Sequence, residues 1–311
     1  MKNKIIKWVW LVTMGVVSGV FASEPPQVST GSVERVDAFE SKYIPARSVD
    51  VWLPPSYDPS NSYAVLYMHD GQMLFDASTT WNGQEWRVDE VAGELISAGK
   101  VRPFIVVGVF NGGVNRHSEY FPQKPFESLS ESQQAQQYEL QRSETQPLFA
   151  AEVYSDRYLK FLVEELKPYI QQNYPVKSEE SYLLGSSMGG LISMYGLLEY
   201  PTEFKGAACL STHWPGSFEV NGNPIPQAFN DYIDSKLETL TYQKIYFDFG
   251  TETLDALYPP LQAKVDEVFI ARDFPKAQWA SKRFEGAAHT EEAWAARLHI
   301  PLEFLFATAP K

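Results

Sequence analysis

Residues 183 to 196, LLGSSMGGLISMYG, run from an apolar stretch through two serines into residues with helical spacing. Within them Gly185-Ser186-Ser187-Met188-Gly189 fits the pattern Gly-x-Ser-x-Gly. In a strand-turn-helix setting the central serine of that pattern occupies a strained turn, and the flanking glycines let strand and helix approach. The turn aims the Ser187 hydroxyl out at the sheet edge. It also puts the Met188 N–H at a helix N-terminus, where it can meet an oxyanion. Three fixed residues recur by chance, so the pattern gains weight only from its context and partners.

A serine hydroxyl is a weak nucleophile until a base takes its proton, so a histidine and an orienting carboxylate are needed. With the serine on such a turn they follow it in the order acid, then histidine. Of the two late histidines, His289 in FEGAAHTEEAW follows the last expected strand on a loop of small residues, which would carry it over the sheet edge. His299 falls within the apolar periodicity of the final helix and reads as a packing residue. The acid belongs just past the strand KIYFDFG, in GTETLDALY. Glu252 and Asp255 both qualify; Asp255 is preferred because it lies far enough past the strand to swing toward a histidine, although Asp is also a common helix N-cap. Asp248 lies inside the strand and is set aside. A second oxyanion donor is expected from the loop His69-Asp70-Gly71-Gln72, through the backbone N–H groups of Gly71 and Gln72. The His-Asp pair there also invites a metal reading, which is disfavoured because no other cluster shows ligand spacing.

The elements that would hold these residues follow from patterning. GSVERVDAFES and RSVDVWLPPSY alternate as half-exposed strands do, whereas AVLYMHD, FIVVGVFN, YLLGSS, KGAACLS and KIYFDFG are short apolar runs of the kind found in buried parallel strands. WASKRFEG completes a count of eight. Between them, DRYLKFLVEELKPYI, LISMYGLLEY, PPLQAKVDEVFIA and EEAWAARLHIPLEFLF carry helical spacing, with Pro301 expected to bend or interrupt the last. Alternating strands and helices predict an α/β fold with a mostly parallel sheet covered on both faces. Residues 111 to 154, rich in Gln, Ser and Glu, lack sustained periodicity and are long for a plain connection. Tyr120, Phe121 and Phe126 within them favour a lid over a solvated loop.

The start of the chain has a different character. MKNKIIK is basic, WVWLVTMGVVSGVF is apolar, and small residues follow at Val20-Phe21-Ala22, so residues 1 to 22 read as an export signal and residues 23 to 311 as one domain. The apolar run is rather short for a membrane anchor. A periplasmic or secreted protein is therefore expected, with no stable membrane association after cleavage. The formal net charge is −13, and loss of Lys2, Lys4 and Lys7 would make it −16. Such acidity disfavours nucleic acid and anionic membrane as partners. Cys209 is the only cysteine, so no intrachain disulfide can form, and its apolar surroundings mark it as a small core residue.

Taken together, YMHDGQMLFD, WNGQEWRVDE, VGVFNGG, LLGSSMGGLISMYG, GAACLSTHW, YFDFGTETLDALY and GAAHTEEAWAARL resemble the putative esterase family of α/β-hydrolases. That family includes esterase D-like enzymes, feruloyl and acetylxylan esterases, siderophore esterases and mycolyltransferases. The similarity spans roughly residues 40 to 307. It implies an α/β-hydrolase fold and serine esterase chemistry with Ser187 as nucleophile, His289 as base and an acid in the GTETLD loop, through an acyl-enzyme and without a cofactor. It implies a small-molecule or oligosaccharide ester as substrate and does not specify which. Siderophore trilactone hydrolysis and acyl transfer to a sugar or alcohol would use the same residues, and a catalytically inactive binding protein would keep the same shape. Trp81, Trp86 and Trp214 are candidates to stack on a sugar or phenolic ring, against the alternative of core packing.

Overall fold

The computed structural model describes residues 24–219 and 222–308. The export signal expected over residues 1 to 22 lies outside the described residues. Ten strands occur in chain order: β1 (Ser32–Phe39), β2 (Arg47–Leu53), β3 (Tyr63–His69), β4 (Phe104–Val109), β5 (Gln141–Ser143), β6 (Gln146–Pro147), β7 (Val176–Ser186), β8 (Gly206–Leu210), β9 (Lys244–Phe249) and β10 (Trp279–Arg283). Eight of them form one sheet in the order β1-β2-β4-β3-β7-β8-β9-β10, while β5 and β6 make a separate hairpin. All pairs from β4 to β10 in that order are parallel, and β2 runs antiparallel to both β1 and β4. Each of the eight apolar or alternating runs read from the sequence is a strand of this sheet. The interior strands β3, β4 and β8 are buried throughout, and the edge strands β1 and β10 are the polar ones.

Helices cover both faces, and the pleat divides the strand side chains between them. Val65, Tyr67, Ile105, Val107, Leu183, Cys209 and Phe247 enter a core shared with helical residues such as Leu159, Ile170, Leu191, Phe229 and Phe269, whereas Leu66, Met68, Val106, Leu184 and Leu210 face α1 (Val88–Ser97) and the two C-terminal helices. The chain between 155 and 173 begins as α5 (Ser155–Lys160), widens to a π-helical turn over Phe161–Leu166, and ends as α6 (Lys167–Asn173). The wide turn lies just before Pro168, which has no N–H to give to the turn before it. Helix α7 (Met188–Glu199) follows β7 directly and is buried along nearly its whole length. After α8 (Ile225–Lys236) and α9 (Pro259–Ala271), the last helical segment is divided at Leu298 into α10 (Glu291–Arg297) and α11 (His299–Phe306). Pro301, in the first turn of α11, cannot donate back to Arg297, and this accounts for the division. His299 is exposed rather than packed.

Residues 111 to 154 are more regular than their composition predicts. They fold into α2 (Arg116–Tyr120), α3 (Gln123–Glu127), α4 (Glu131–Tyr138) and the β5-β6 hairpin. Ser130 and Gln133 close a reciprocal capping box on α4. Phe121, Phe126, Tyr138 and Phe149 pack on one another with ring centroids 5.1 to 5.8 Å apart. No single periodicity appears because the apolar residues serve several short elements that share one cluster.

A buried ion pair ties this segment to the sheet. Arg47, at the start of β2, donates through Nη1 and Nη2 to the two Glu119 carboxylate oxygens of α2 at 2.8 and 2.7 Å, and both side chains are buried. Removing one partner from such a pair costs far more than its net contribution, because the other charge stays buried and unmet. Glu119→Ala is therefore expected to lower the unfolding free energy by about 3–5 kcal/mol, read from the urea midpoint. A change below about 1 kcal/mol would place the pair with exposed ones.

Candidate active site

Ser187 sits between β7 and α7 with φ 56° and ψ −121°, in the left-handed half of backbone space that a serine rarely adopts. The surrounding chain holds it there. Its N–H donates to Leu210 O at 2.9 Å, and its carbonyl accepts from His213 N at 3.2 Å. The glycines are required by contact: a Cβ on Gly185 would lie 2.6 Å from the Gly189 carbonyl carbon, and one on Gly190 would lie 2.9 Å from Thr212 Oγ1. Met188 opens α7, whose first N–H groups have no partner within the helix.

His289 arrives on the loop after β10. Its backbone N–H donates to Thr253 Oγ1 at 2.8 Å, and its Nδ1 lies 2.5 Å from Asp255 Oδ1. With Nδ1–H given to the carboxylate, Nε2 is the ring nitrogen left to accept a proton. The ring is held edge-on by Tyr258 and by Trp294, and Trp294 in turn stacks on Trp86. Asp255 stands in a 3-10 turn, Thr253–Leu257, and is fully buried, whereas Glu252 is exposed. Of the two acids weighed from the sequence, Asp255 is thus the one the fold puts on His289.

Asp255 is not held by His289 alone. Its Oδ2 accepts from Ser211 Oγ and from Gly250 N, each at 2.5 Å. Burial pushes this carboxyl upward, but the bonds from His289, Ser211 and Gly250 outweigh it and hold the group below the ordinary carboxylate range. Ser211 Oγ also accepts from Trp294 Nε1 at 2.9 Å and from Arg297 Nη2 at 2.8 Å, so its one proton is committed to Asp255. Arg297 is anchored by Asp248, and Ser211 itself takes a positive φ of 43°. This buried chain, Asp248–Arg297–Ser211–Asp255–His289, is what sequence reading missed. Asp248 is set aside correctly as a direct partner of His289, but its support of Arg297 has no signature in spacing.

Ser187, Met188 and His289 open into a cavity of about 640 Å³, together with Asp70, Gln72, Trp81, Trp86, Arg116, His117, Arg142, His213 and Glu291 among others. Gln72 and Met188, two of the expected oxyanion donors, are in its wall. Gly71 is packed behind them against β4, where a Cβ would meet the Gly108 carbonyl at 2.5 Å. Trp81 is 84 % exposed at the cavity mouth. Trp214, by contrast, corrects an expectation: it is buried between Phe229 and Phe247 with Nε1 given to Gln262 Oε1 at 2.8 Å, so it belongs to the core and offers no face to a substrate. Asp70 is bound in a fork by Arg116 at 2.6 and 2.7 Å. The buried phenol of Tyr258 meets His213 Nδ1 at 2.9 Å and the Ser187 hydroxyl. Burial drives the His213 imidazole down to about 3, which keeps it neutral. No metal-holding group of His, Cys, Asp or Glu occurs among the described residues.

A family profile described as "Putative esterase" matches residues 45–304. The chain belongs to that family. Ferri-bacillibactin esterase BesA of Bacillus subtilis is 25% identical over 170 residues, 53% of this chain and 53% of BesA. The uncharacterized protein YbbA of the same organism is 27% identical over 172 residues, 54% of this chain and 58% of YbbA. The chain thus spans little more than half the length of these curated relatives. Among solved structures, a ferulic acid esterase superposes with a TM-score of 0.61 at 17% identity, covering 89% of this chain and 98% of that one. The fold is therefore that of the α/β-hydrolase esterases, as the ordered motifs imply.

The Ser211 network makes a checkable claim about how His289 is held. Ser211→Ala removes one bond to Asp255 and leaves Trp294 Nε1 and an Arg297 N–H without their buried acceptor. A stability loss of about 1–3 kcal/mol is expected by thermal or urea melting. An unchanged melt would mean that a water takes over the hydroxyl's place.

Proposed function

We propose that this chain is an exported serine esterase that hydrolyses carboxylic esters, of carbohydrate or phenolic type, by way of an acyl-enzyme. The observation that carries the reading is the 2.5 Å bond between His289 Nδ1 and the buried Asp255, opening on the same cavity as Ser187 at its strained turn. His289 Nε2 takes the Ser187 proton as Oγ bonds to the ester carbonyl carbon. The carbonyl oxygen becomes an oxyanion facing the N–H groups of Met188 and Gln72. As the tetrahedral intermediate collapses, the C–O bond to the alcohol breaks and His289 returns the proton to the leaving oxygen. Water then attacks the acyl-serine with His289 again as base, releasing the acid and restoring Ser187. Asp255 stays ionised throughout and stabilises the imidazolium. Trp81, exposed at the mouth, offers a stacking face to a sugar or aromatic ring. The likeness to BesA favours one second reading, hydrolysis of a siderophore trilactone by the same residues.

Hydrolysis of p-nitrophenyl acetate and butyrate, a feruloylated oligosaccharide and a catecholate trilactone tests these readings together. Ser187→Ala is expected to lower kcat by roughly 10⁴-fold or more, and Asp255→Asn by roughly 10³-fold or more with the fold intact by circular dichroism. Turnover that survives Ser187→Ala would sink the serine mechanism, and the best substrate separates the two ester classes. Trp81→Ala is expected to raise KM for aromatic or sugar esters by about fivefold, the loss of one stacking contact, with little effect on ethyl acetate, which carries no ring. Equal effects on all esters would remove Trp81 from substrate recognition.

A further inference from the structure

The charges of the cavity wall are unevenly met. Asp70 and Arg116 neutralise each other through their two-pronged bond. Glu291 accepts from Asn82 Nδ2 at 2.9 Å and lies in the first turn of α10, where a negative charge is favoured. His117 and His213 are kept neutral by burial. Arg142 is different. It stands on β5 of the hairpin, its side chain forms part of the wall, and it has no hydrogen-bond or ion-pair partner among the described residues. Partial burial and the neighbouring Arg116 both press its guanidinium below its ordinary value, while the residue keeps access to solvent.

The hairpin that carries Arg142 is fixed at its base. Leu148 N donates to Leu140 O at 2.8 Å, and Leu148 and Phe149 are buried in the aromatic cluster of the insertion. Arg142 itself is solvent-exposed at the cavity wall, so its unpaired guanidinium is open to an anion that enters the cavity, in a chain whose net charge is −13. We propose that Arg142 is a specificity-determining residue that binds an anionic group on the substrate, a carboxylate being the best match to its planar fork, so that the cavity selects esters carrying a negative charge. The inference rests on the ester-hydrolase reading and sharpens it. Arg116 has its fork committed to Asp70, which leaves Arg142 as the guanidinium open to an incoming carboxylate.

The test compares p-nitrophenyl hydrogen adipate with p-nitrophenyl hexanoate, which share a reacting carbonyl and chain length but differ in a terminal carboxylate. The wild-type protein is expected to favour the adipate in kcat/KM, and the preference should shrink as sodium chloride is raised. Arg142→Gln should lower the adipate-to-hexanoate ratio by about tenfold, chiefly through KM, as for the loss of one charge-assisted hydrogen bond. Arg142→Glu should reverse the preference. An equal ratio in wild type and Arg142→Gln overturns the proposal while leaving the esterase reading intact. If neither ester is hydrolysed, the esterase reading fails, and calorimetric binding of adipate itself still decides the anion site: binding lost in Arg142→Gln supports it, and no binding by the wild-type protein overturns it.

Discussion

The buried carboxylate of Asp255 is the point on which the site depends. An ionised group with no exposure must receive hydrogen bonds or give up its charge, and here three donors from three parts of the chain converge on it: His289 after β10, Ser211 after β8 and Gly250 after β9. Each donor fixes one loop at the C-terminal edge of the sheet. The end of β8 and the loop after it supply the Leu210 carbonyl and His213 N–H that clamp the Ser187 backbone. One desolvated charge therefore organises both the histidine and, at one remove, the serine.

A second layer keeps that charge in register. Arg297 and Trp294 reach from α10 to Ser211 and commit its hydroxyl proton to Asp255. Arg297 is itself neutralised by Asp248 within β9. Trp294 of α10 and Leu302 and Leu305 of α11 enter the same core on this face of the sheet. The insertion obeys the same logic on the other side of the cavity. Helix α2 carries both Glu119, paired with Arg47 of β2, and Arg116, paired with Asp70 after β3. Five residues of helix are thus pinned at two points to the sheet, and the aromatic cluster builds outward from them.

How much of this was legible in the sequence follows from the range over which each feature is determined. The strands announce themselves locally, as short apolar runs ending in small or polar residues, and all eight are found. Ser187 is legible because its turn imposes glycines within two residues, and the late histidine is legible because chain order restricts it. Asp255 against Glu252 is a closer matter: their exposures differ completely, but only the 3-10 turn that buries one and turns the other to solvent separates them. Ser211, Arg297 and Asp248 could not be read, since their association spans 86 and 49 positions and no spacing rule connects them. Trp214 misleads for a related reason, because a tryptophan just past a strand end can face either the cavity or the core. Phe229 and Phe247, which decide it, lie far along the chain.

This division has a consequence for function. Ser187, Asp255 and His289 lie on the loops that follow β7, β9 and β10, where strand geometry and a shared buried charge leave them little freedom. Part of the cavity wall, including Arg116, His117 and Arg142, comes instead from the insertion between β4 and α5, which is tied to the sheet through Glu119, to α7 through Lys124 and to α8 through Phe121. The loops at the sheet edge are thus readable from the order of motifs, while the insertion beside them has a sequence that shows neither periodicity nor motif. An arginine on a hairpin in that segment is invisible to pattern and becomes informative only when the charges around the cavity are paired off one by one.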